Sequence, residues 1–169
     1  MAKIGIVFGC FIPMHMGHVK LLTQATRENE YVILGVCGYD NDRGKDFLSF
    51  EERQKLIKSH YKRYPKIITS IVDDKKIGLT GKFDKESWEI WSKELFQNAE
   101  IDPYSDNEFT WYTGDQSYID RLSEIFPNHK FTLIERDGMS GTSIRADAKN
   151  NKDNMVYFFR DYLEKNHRI

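Results

Sequence analysis

Short, continuous apolar runs alternate along this chain with longer stretches whose apolar residues recur every three or four positions. Lys3 to Phe8 (KIGIVF) is the first run and closes on Gly9; beyond it Val19, Leu22 and Ala25 fall at helical spacing up to Glu28. Tyr31 to Cys37 (YVILGVC) is a second run of strand length, and the polar stretch from Tyr39 to Asp46 reads as a loop. Ser49 followed by Glu52 is a capping box, and Leu56, Ile57, Tyr61 and Tyr64 predict a helical stripe that Pro65 stops. Ile67 to Val72 predicts a third strand. Asp84 reads as the N-cap of a helix carrying Trp88, Trp91 and Leu95 on one stripe. Phe109 to Tyr112 (FTWY) is rich in β-formers, Tyr118, Ile119, Leu122, Ile125 and Phe126 share a helical face, and Lys130 to Ile134 predicts a fifth strand. Met155, Phe158, Phe159 and Tyr162 predict a last amphipathic helix. The order βαβαβαβαβ with helices at the end predicts an α/β fold, a five-stranded parallel sheet covered by helices on both faces.

Composition narrows what such a fold does. The 169 residues carry 25 Lys plus Arg against 26 Asp plus Glu, a formal net charge of -1. Non-specific duplex binding needs an excess of cations to displace counterions, so no nucleic-acid partner is expected, and any bound anion must be held by local geometry. No run reaches the 18 or so apolar residues of a membrane span and no signal peptide precedes the first strand, so no membrane partner is expected and the cytoplasm is the expected location. Cys10 and Cys37 are too few for a disulfide framework and read as reduced, structural thiols.

In an open α/β sheet, ligands bind beyond the carboxyl ends of the strands, so chemistry is sought in the loops that follow them. The first of these reads Gly9-Cys10-Phe11-Ile12-Pro13-Met14-His15-Met16-Gly17-His18, with His18 at the start of the next helix. Gly9 suits a tight turn, Gly17 lets backbone approach a ligand, and a helix start favours a phosphate. Two imidazoles three positions apart suit the non-bridging oxygens of that phosphate as donors. The same pair also fits a buried histidine satisfied by backbone, or a zinc pair whose remaining ligands the sequence does not place. By its own residues alone, the predicted metal set is none.

The loop resembles the Gly-x-Phe-x-Pro-x-His-x-Gly-His signature of the HxGH-motif nucleotidyltransferase superfamily, a Rossmann-like group. The second signature of that group, I-S-x-T-x-I-R, is matched by Met139-Ser140-Gly141-Thr142-Ser143-Ile144-Arg145, with Met in place of the first Ile. Within it the chain is most similar to the nicotinamide-nucleotide (NMN) adenylyltransferases, above all the adenylyltransferase domain of the NadR type, through GIVFG, Trp88-Glu89-Ile90-Trp91-Ser92 and the spacing from strand one to Arg145. The resemblance covers nearly the whole chain and implies a single nucleotidyltransferase domain over residues 1–169. The kinase domain and DNA-binding segment that some NadR-type proteins carry are not expected, since no Gly-x-x-x-x-Gly-Lys-Ser/Thr loop occurs. A stand-alone enzyme and an excised domain fit equally.

What the resemblance implies is attack by the 5′-phosphate of NMN on the α-phosphorus of ATP, giving NAD and pyrophosphate. His15, His18 and Arg145 would be catalytic, the histidines on the ATP phosphates and Arg145 on the leaving pyrophosphate. Gly9, Cys10, Phe11, Gly17, Ser140, Thr142 and Ser143 would bind ATP and its phosphates. Lys or Arg usually stands where this chain has Cys10, a departure that Arg43 or Lys45 would offset. Trp88 and Trp91 are candidates for a platform under the cationic nicotinamide ring, against a reading as core. Asp115, after the fourth strand, and Asp74, after the third, are further candidates, with an N-cap role for Asp115 equally natural. Mg2+ would arrive with ATP. Partners would be ATP, NMN and NAD, and a homo-oligomer is compatible with the chain. The alternatives are nucleotidyl transfer to another phosphate acceptor such as phosphopantetheine, cytidylyl transfer to a small alcohol phosphate, or an NAD- or ATP-sensing module without turnover.

Overall fold

β1 (Lys3–Gly9) and β2 (Tyr31–Cys37) lie inside the sheet because their residues are apolar on both sides of the pleat, and a strand covered twice has no polar face. The computed structural model describes residues 1–38, 46–79, 84–135 and 138–169. The other elements are α1 (Met16–Glu28), α2 (Phe50–Tyr61), β3 (Ile67–Val72), α3 (Lys85–Asn98), β4 (Glu108–Thr113), α4 (Gln116–Ile125), β5 (Lys130–Leu133), α5 (Gly141–Ala146), a 3-10 stretch (Lys149–Asn154) and α6 (Tyr157–Lys165). The strands run in the order β3-β2-β1-β4-β5, all parallel. The chain therefore leaves β3 at one edge and re-enters beside β1, so the order reverses between β1 and β4, where a crevice opens.

Each face has its own core. Val32, Leu34 and Val36 of β2 pack with Leu22 and Ala25 of α1, Ile57 of α2, and Phe159 and Leu163 of α6. Ile33 and Cys37 point the other way, into Trp88, Trp91, Leu95 and Phe96 of α3 and Leu122 of α4. That alternation is the two-residue period of a strand, here apolar on both sides.

The helix starts follow the caps read from sequence. Ser49 and Glu52 exchange capping-box bonds at the head of α2, and Asp84 and Asp115 cap α3 and α4. Three expectations need correction. α1 begins at Met16, before the first periodic residue, because His15 caps it. α2 ends at Tyr61, so Tyr64 lies outside the helix and is exposed, the stripe having run on past the last packed turn. Met155 precedes α6 and instead makes a bridge to His15. Among the described residues no helix is long and apolar enough to cross a membrane.

The C-terminus folds back onto α2. Arg168 pairs with Glu52 at 2.8 Å and donates to the Phe47 carbonyl at 3.0 Å, while the Tyr162 hydroxyl donates to the same carboxylate. Partial burial works against the Glu52 charge, but bonds from Arg168, Tyr162 and Ser49 outweigh it and bring its pKa from 4.5 down to about 2. A carboxyl depressed in the folded state stabilises above its unfolded pKa and loses that contribution as pH falls through the folded one. Urea midpoints of wild type and Glu52→Gln are thus expected to differ most above pH 4.5 and to converge as pH approaches 2. A difference independent of pH would show that the carboxylate charge is not what holds the tail.

Candidate active site

The loop after β1 is built to aim two imidazoles. His15 is the N-cap of α1, and its Nδ1 accepts from the Gly17 N–H at 3.1 Å; the Nδ1 of His18, three residues on, accepts from the His15 N–H at 3.1 Å. This is a capping box made from two histidines in place of Ser and Glu. A nitrogen that accepts has no proton, so in each neutral ring the proton sits on Nε2 and the ring presents a donor on the side away from the backbone. The rings stack at 3.8 Å between centroids and 27°, so both donors are held side by side. His15 is 5% exposed.

Glycine is needed twice here. A Cβ on Gly17 would lie 2.8 Å from His15 Cε1, and one on Gly9 would lie 3.2 Å from the Phe11 ring and 3.5 Å from His18 Nε2. The first would push the His15 imidazole from its place, and the second would press on the Phe11 ring. Phe11 takes φ +57, a left-handed conformation that costs a non-glycine residue on the order of 1 kcal/mol or more. Its ring is fully buried and meets His18 edge-on at 4.7 Å, and that burial offsets the strain.

The C-terminal signature braces this loop from the other side. Ser140 caps α5 in a reciprocal box with Ser143, and Arg145 Nη1 donates to the Ile12 carbonyl at 2.6 Å. The Val156 N–H donates to the Met14 carbonyl at 3.0 Å. A guanidinium has five donors, so bracing the loop and facing a ligand are compatible roles. His15 and Arg145, 130 positions apart in sequence, thereby meet on one wall.

The wall belongs to a cavity of about 660 Å³ above the carboxyl ends of β1 and β4. That volume suits a small-molecule site. Of the predicted residues it is lined by Gly9, Cys10, Phe11, His15, Gly17 and His18 from the first loop, by Ser140, Thr142 and Arg145 from the second, and by Asp115 after β4. Trp88 and Trp91 reach it too, although only 3% and 1% exposed. They pack on Phe8 and on each other, with Trp88 also against Tyr118 at 5.2 Å, so the core reading holds for both while they close one end of the cavity.

Two candidates are not at the wall. Ser143 spends its hydroxyl on its own helix cap, on the Ser140 carbonyl and N–H. Asp74 is buried beyond β3, two strands away from the crevice, where its charge acts on Cys37 instead. Arg43 and Lys45 lie outside the described residues. Tyr118, Thr113 and Glu135 also line the cavity, and sequence reading missed their place in the site. Tyr118 was legible only as part of an apolar helix face, yet it stands in the first turn of α4, the end that faces the crevice. Among the described residues no group of three His, Cys, Asp or Glu side chains is arranged to hold a metal ion.

Comparison with known proteins bears on the family and the fold. A Fusobacterium nucleatum protein named a probable nicotinate-nucleotide adenylyltransferase is 25% identical over 89% of this chain and 90% of its own length. A phosphopantetheine adenylyltransferase of Streptococcus uberis is 29% identical over 62% of this chain and 68% of its own. The crystal structure of NadR protein in complex with NAD and AMP-PNP superposes with a TM-score of 0.77 at 26% identity, covering 94% of this chain, which spans 46% of that longer one. With a family model matching residues 6–167, a parallel sheet that reverses between β1 and β4, and both signature loops on one cavity, the chain belongs to the cytidylyltransferase-like family of nucleotidyltransferases.

Proposed function

We propose that the protein transfers an adenylyl group from ATP to nicotinamide mononucleotide, giving NAD and pyrophosphate. The observation that carries this reading is the stacked pair of imidazoles whose Nδ1 atoms accept from backbone N–H groups and which line one cavity together with Arg145. The names of the relatives support the choice of nucleotide: the NadR structure contains NAD and an ATP analogue, and the Fusobacterium protein is named for a pyridine mononucleotide.

The 5′-phosphate of the acceptor, with a second pKa of about 6, is already ionised at neutral pH and needs no catalytic base. The protein's part is to place two anions in line and to stabilise the charge that moves from the attacked α-phosphate to the leaving pyrophosphate. His15 and His18 donate to the α-phosphate oxygens, and these donors gain strength as negative charge accumulates there. Arg145 and the Ser140–Thr142 backbone and hydroxyls take the β- and γ-phosphates, a planar fork being suited to phosphate oxygens. The acceptor's nicotinamide ring lies against the Trp88 and Tyr118 wall, where an aromatic surface favours its positive charge. Magnesium would enter as part of the MgATP substrate; among the described residues the cavity wall offers Asp115 and Glu135 and no clustered carboxylate cage.

The test offers MgATP with nicotinamide mononucleotide, nicotinate mononucleotide or phosphopantetheine in separate reactions and resolves products by chromatography. NAD formed faster than the other products is the expected result. Faster turnover of nicotinate mononucleotide, the nucleotide for which the Fusobacterium relative is named, would replace the acceptor and keep the reaction. Transfer to phosphopantetheine alone, or ATP binding with no transfer at all, would overturn the proposal.

A further inference from the structure

The parallel ladder between β1 and β2 pairs residue with residue up to Gly9 opposite Val36. One step further along each strand stand Cys10 and Cys37. Neighbouring strands lie about 4.8 Å apart, inside the 4.4 to 6.8 Å between Cα atoms that a disulfide spans. Both side chains line the cavity, and both pack against the core on the α3 side of the sheet. The two thiols are thus neighbours at the end of β1, close enough that Cys10 acts on the titration of Cys37.

We propose that Cys10 and Cys37 are an oxidation site, a dithiol that a peroxide converts reversibly to a disulfide, tying the loop to β2 and withdrawing it from nucleotide use. Cys10 is the sulfur that a solvent-borne oxidant meets first, being half-buried on the cavity wall, whereas Cys37 is 7% exposed. In the first step the Cys10 sulfur attacks one peroxide oxygen, the O–O bond breaks, and a sulfenic acid and one water form. In the second the Cys37 sulfur displaces hydroxide from the sulfenic sulfur, its proton leaves with that hydroxide as a second water, and the S–S bond closes. Two thiols are oxidised by two electrons and one peroxide is reduced to two waters. Burial, followed by the neighbouring Cys10 and Asp74, pushes the Cys37 thiol up, so in the reduced protein it stays protonated as the resolving partner.

The bond has consequences at both ends. Cys10 is followed directly by Phe11 in its left-handed conformation and by Ile12, whose carbonyl anchors Arg145. The Cys37 thiol is buried beside the Trp91 indole, which acts against the upward push on that thiol and whose packing the disulfide would disturb. Fixing Cys10 to β2 therefore shifts the frame on which both imidazoles and Arg145 are aimed.

The experiment exposes the whole reduced protein to hydrogen peroxide, quenches with iodoacetamide and reads intact mass and linked peptides. Expected are a monomer lighter by two hydrogens, a Cys10–Cys37 peptide, and full reversal by dithiothreitol. MgATP affinity by calorimetry is expected to fall with the bond, and turnover to fall on the order of 10²-fold, the cost of misplacing a reacting group by about 1 Å. In Cys37→Ala the linked peptide is absent and dimedone traps Cys10 as its sulfenic acid; Cys10→Ser also lacks the linked peptide and serves if the first variant does not fold. Each variant is compared with its own reduced form. Two alkylatable thiols after peroxide, a bond joining two copies, or a linked peptide with unchanged MgATP affinity would each overturn the proposal. The effect on turnover rests on the adenylyl-transfer reading, while the bond and the loss of ATP affinity do not. A protein that shows both but transfers to no acceptor would leave this site standing and remove that function.

Discussion

Replacing His18 by Gln is expected to lower kcat/KM for adenylyl transfer by roughly 10²- to 10³-fold while leaving thermal stability close to that of the wild type. Losing one donor to a developing oxyanion costs about 3 to 4 kcal/mol of transition-state stabilisation. The choice of Gln matters because His18 has two jobs: its Nδ1 completes the cap of α1 by accepting from the His15 N–H, and its Nε2 side faces the cavity. Gln at this third helical position is the ordinary partner in a capping box, so its side-chain oxygen takes over the first job and not the second. His18→Ala removes both and is expected to lose about 0.5 to 2 kcal/mol of stability as well. Steady-state kinetics beside thermal melts of the two variants separate the roles. Wild-type turnover in His18→Gln would remove His18 from the chemistry, and a large stability loss in that variant would make it mainly a cap.

The largest expected effect on stability comes from Trp91→Ala. Trp91 is 1% exposed and packs against Phe8 at 4.9 Å, Trp88 at 5.5 Å and Trp111 at 6.5 Å, near the middle of the core on the α3 side. Truncating a buried tryptophan typically costs about 3 to 5 kcal/mol, through lost transfer energy and the cavity left behind. Against a total stability of about 5 to 15 kcal/mol, that is a large share. For a chain of this size each kcal/mol moves Tm by about 2 to 4 °C, so a drop of roughly 6 to 20 °C is expected in a circular-dichroism melt. An unchanged Tm would mean that the ring is dispensable to the core and belongs to the ligand instead. The same residue thus anchors the fold and closes one end of the cavity, so changes in acceptor affinity there are interpretable only beside the melt.

Much of the site was legible in the sequence because its information is local. Strand positions follow from apolar run length, and the starts of α2, α3 and α4 from Ser49, Asp84 and Asp115, each capping a helix that begins at the next residue. The first loop, Gly9 to His18, stood out by its own glycines and histidines, whereas Ser140 to Arg145 stood out through its resemblance to a family signature, its hydroxyls alone reading as a helix cap. The cap that His15 makes at the head of α1 was not read from the sequence, although its partners lie within the same ten residues.

What the tertiary structure decided is every relation between segments. Periodicity states that a strand is buried on both faces but not which strands are its neighbours; the order β3-β2-β1-β4-β5 is fixed by packing over long separations. That order makes Asp115 part of the site and Asp74 not, although both follow a strand in sequence. It brings Tyr118 to the cavity and sets Cys10 one step past the ladder beside Cys37. The hydroxyl of Ser143 was open to either a ligand or its own helix until the fold of α5 committed it to the cap. Residue types and short spacings set which groups can donate, accept or be oxidised. Their meeting depends on which apolar faces cover one another, a property of the whole chain that no single segment carries.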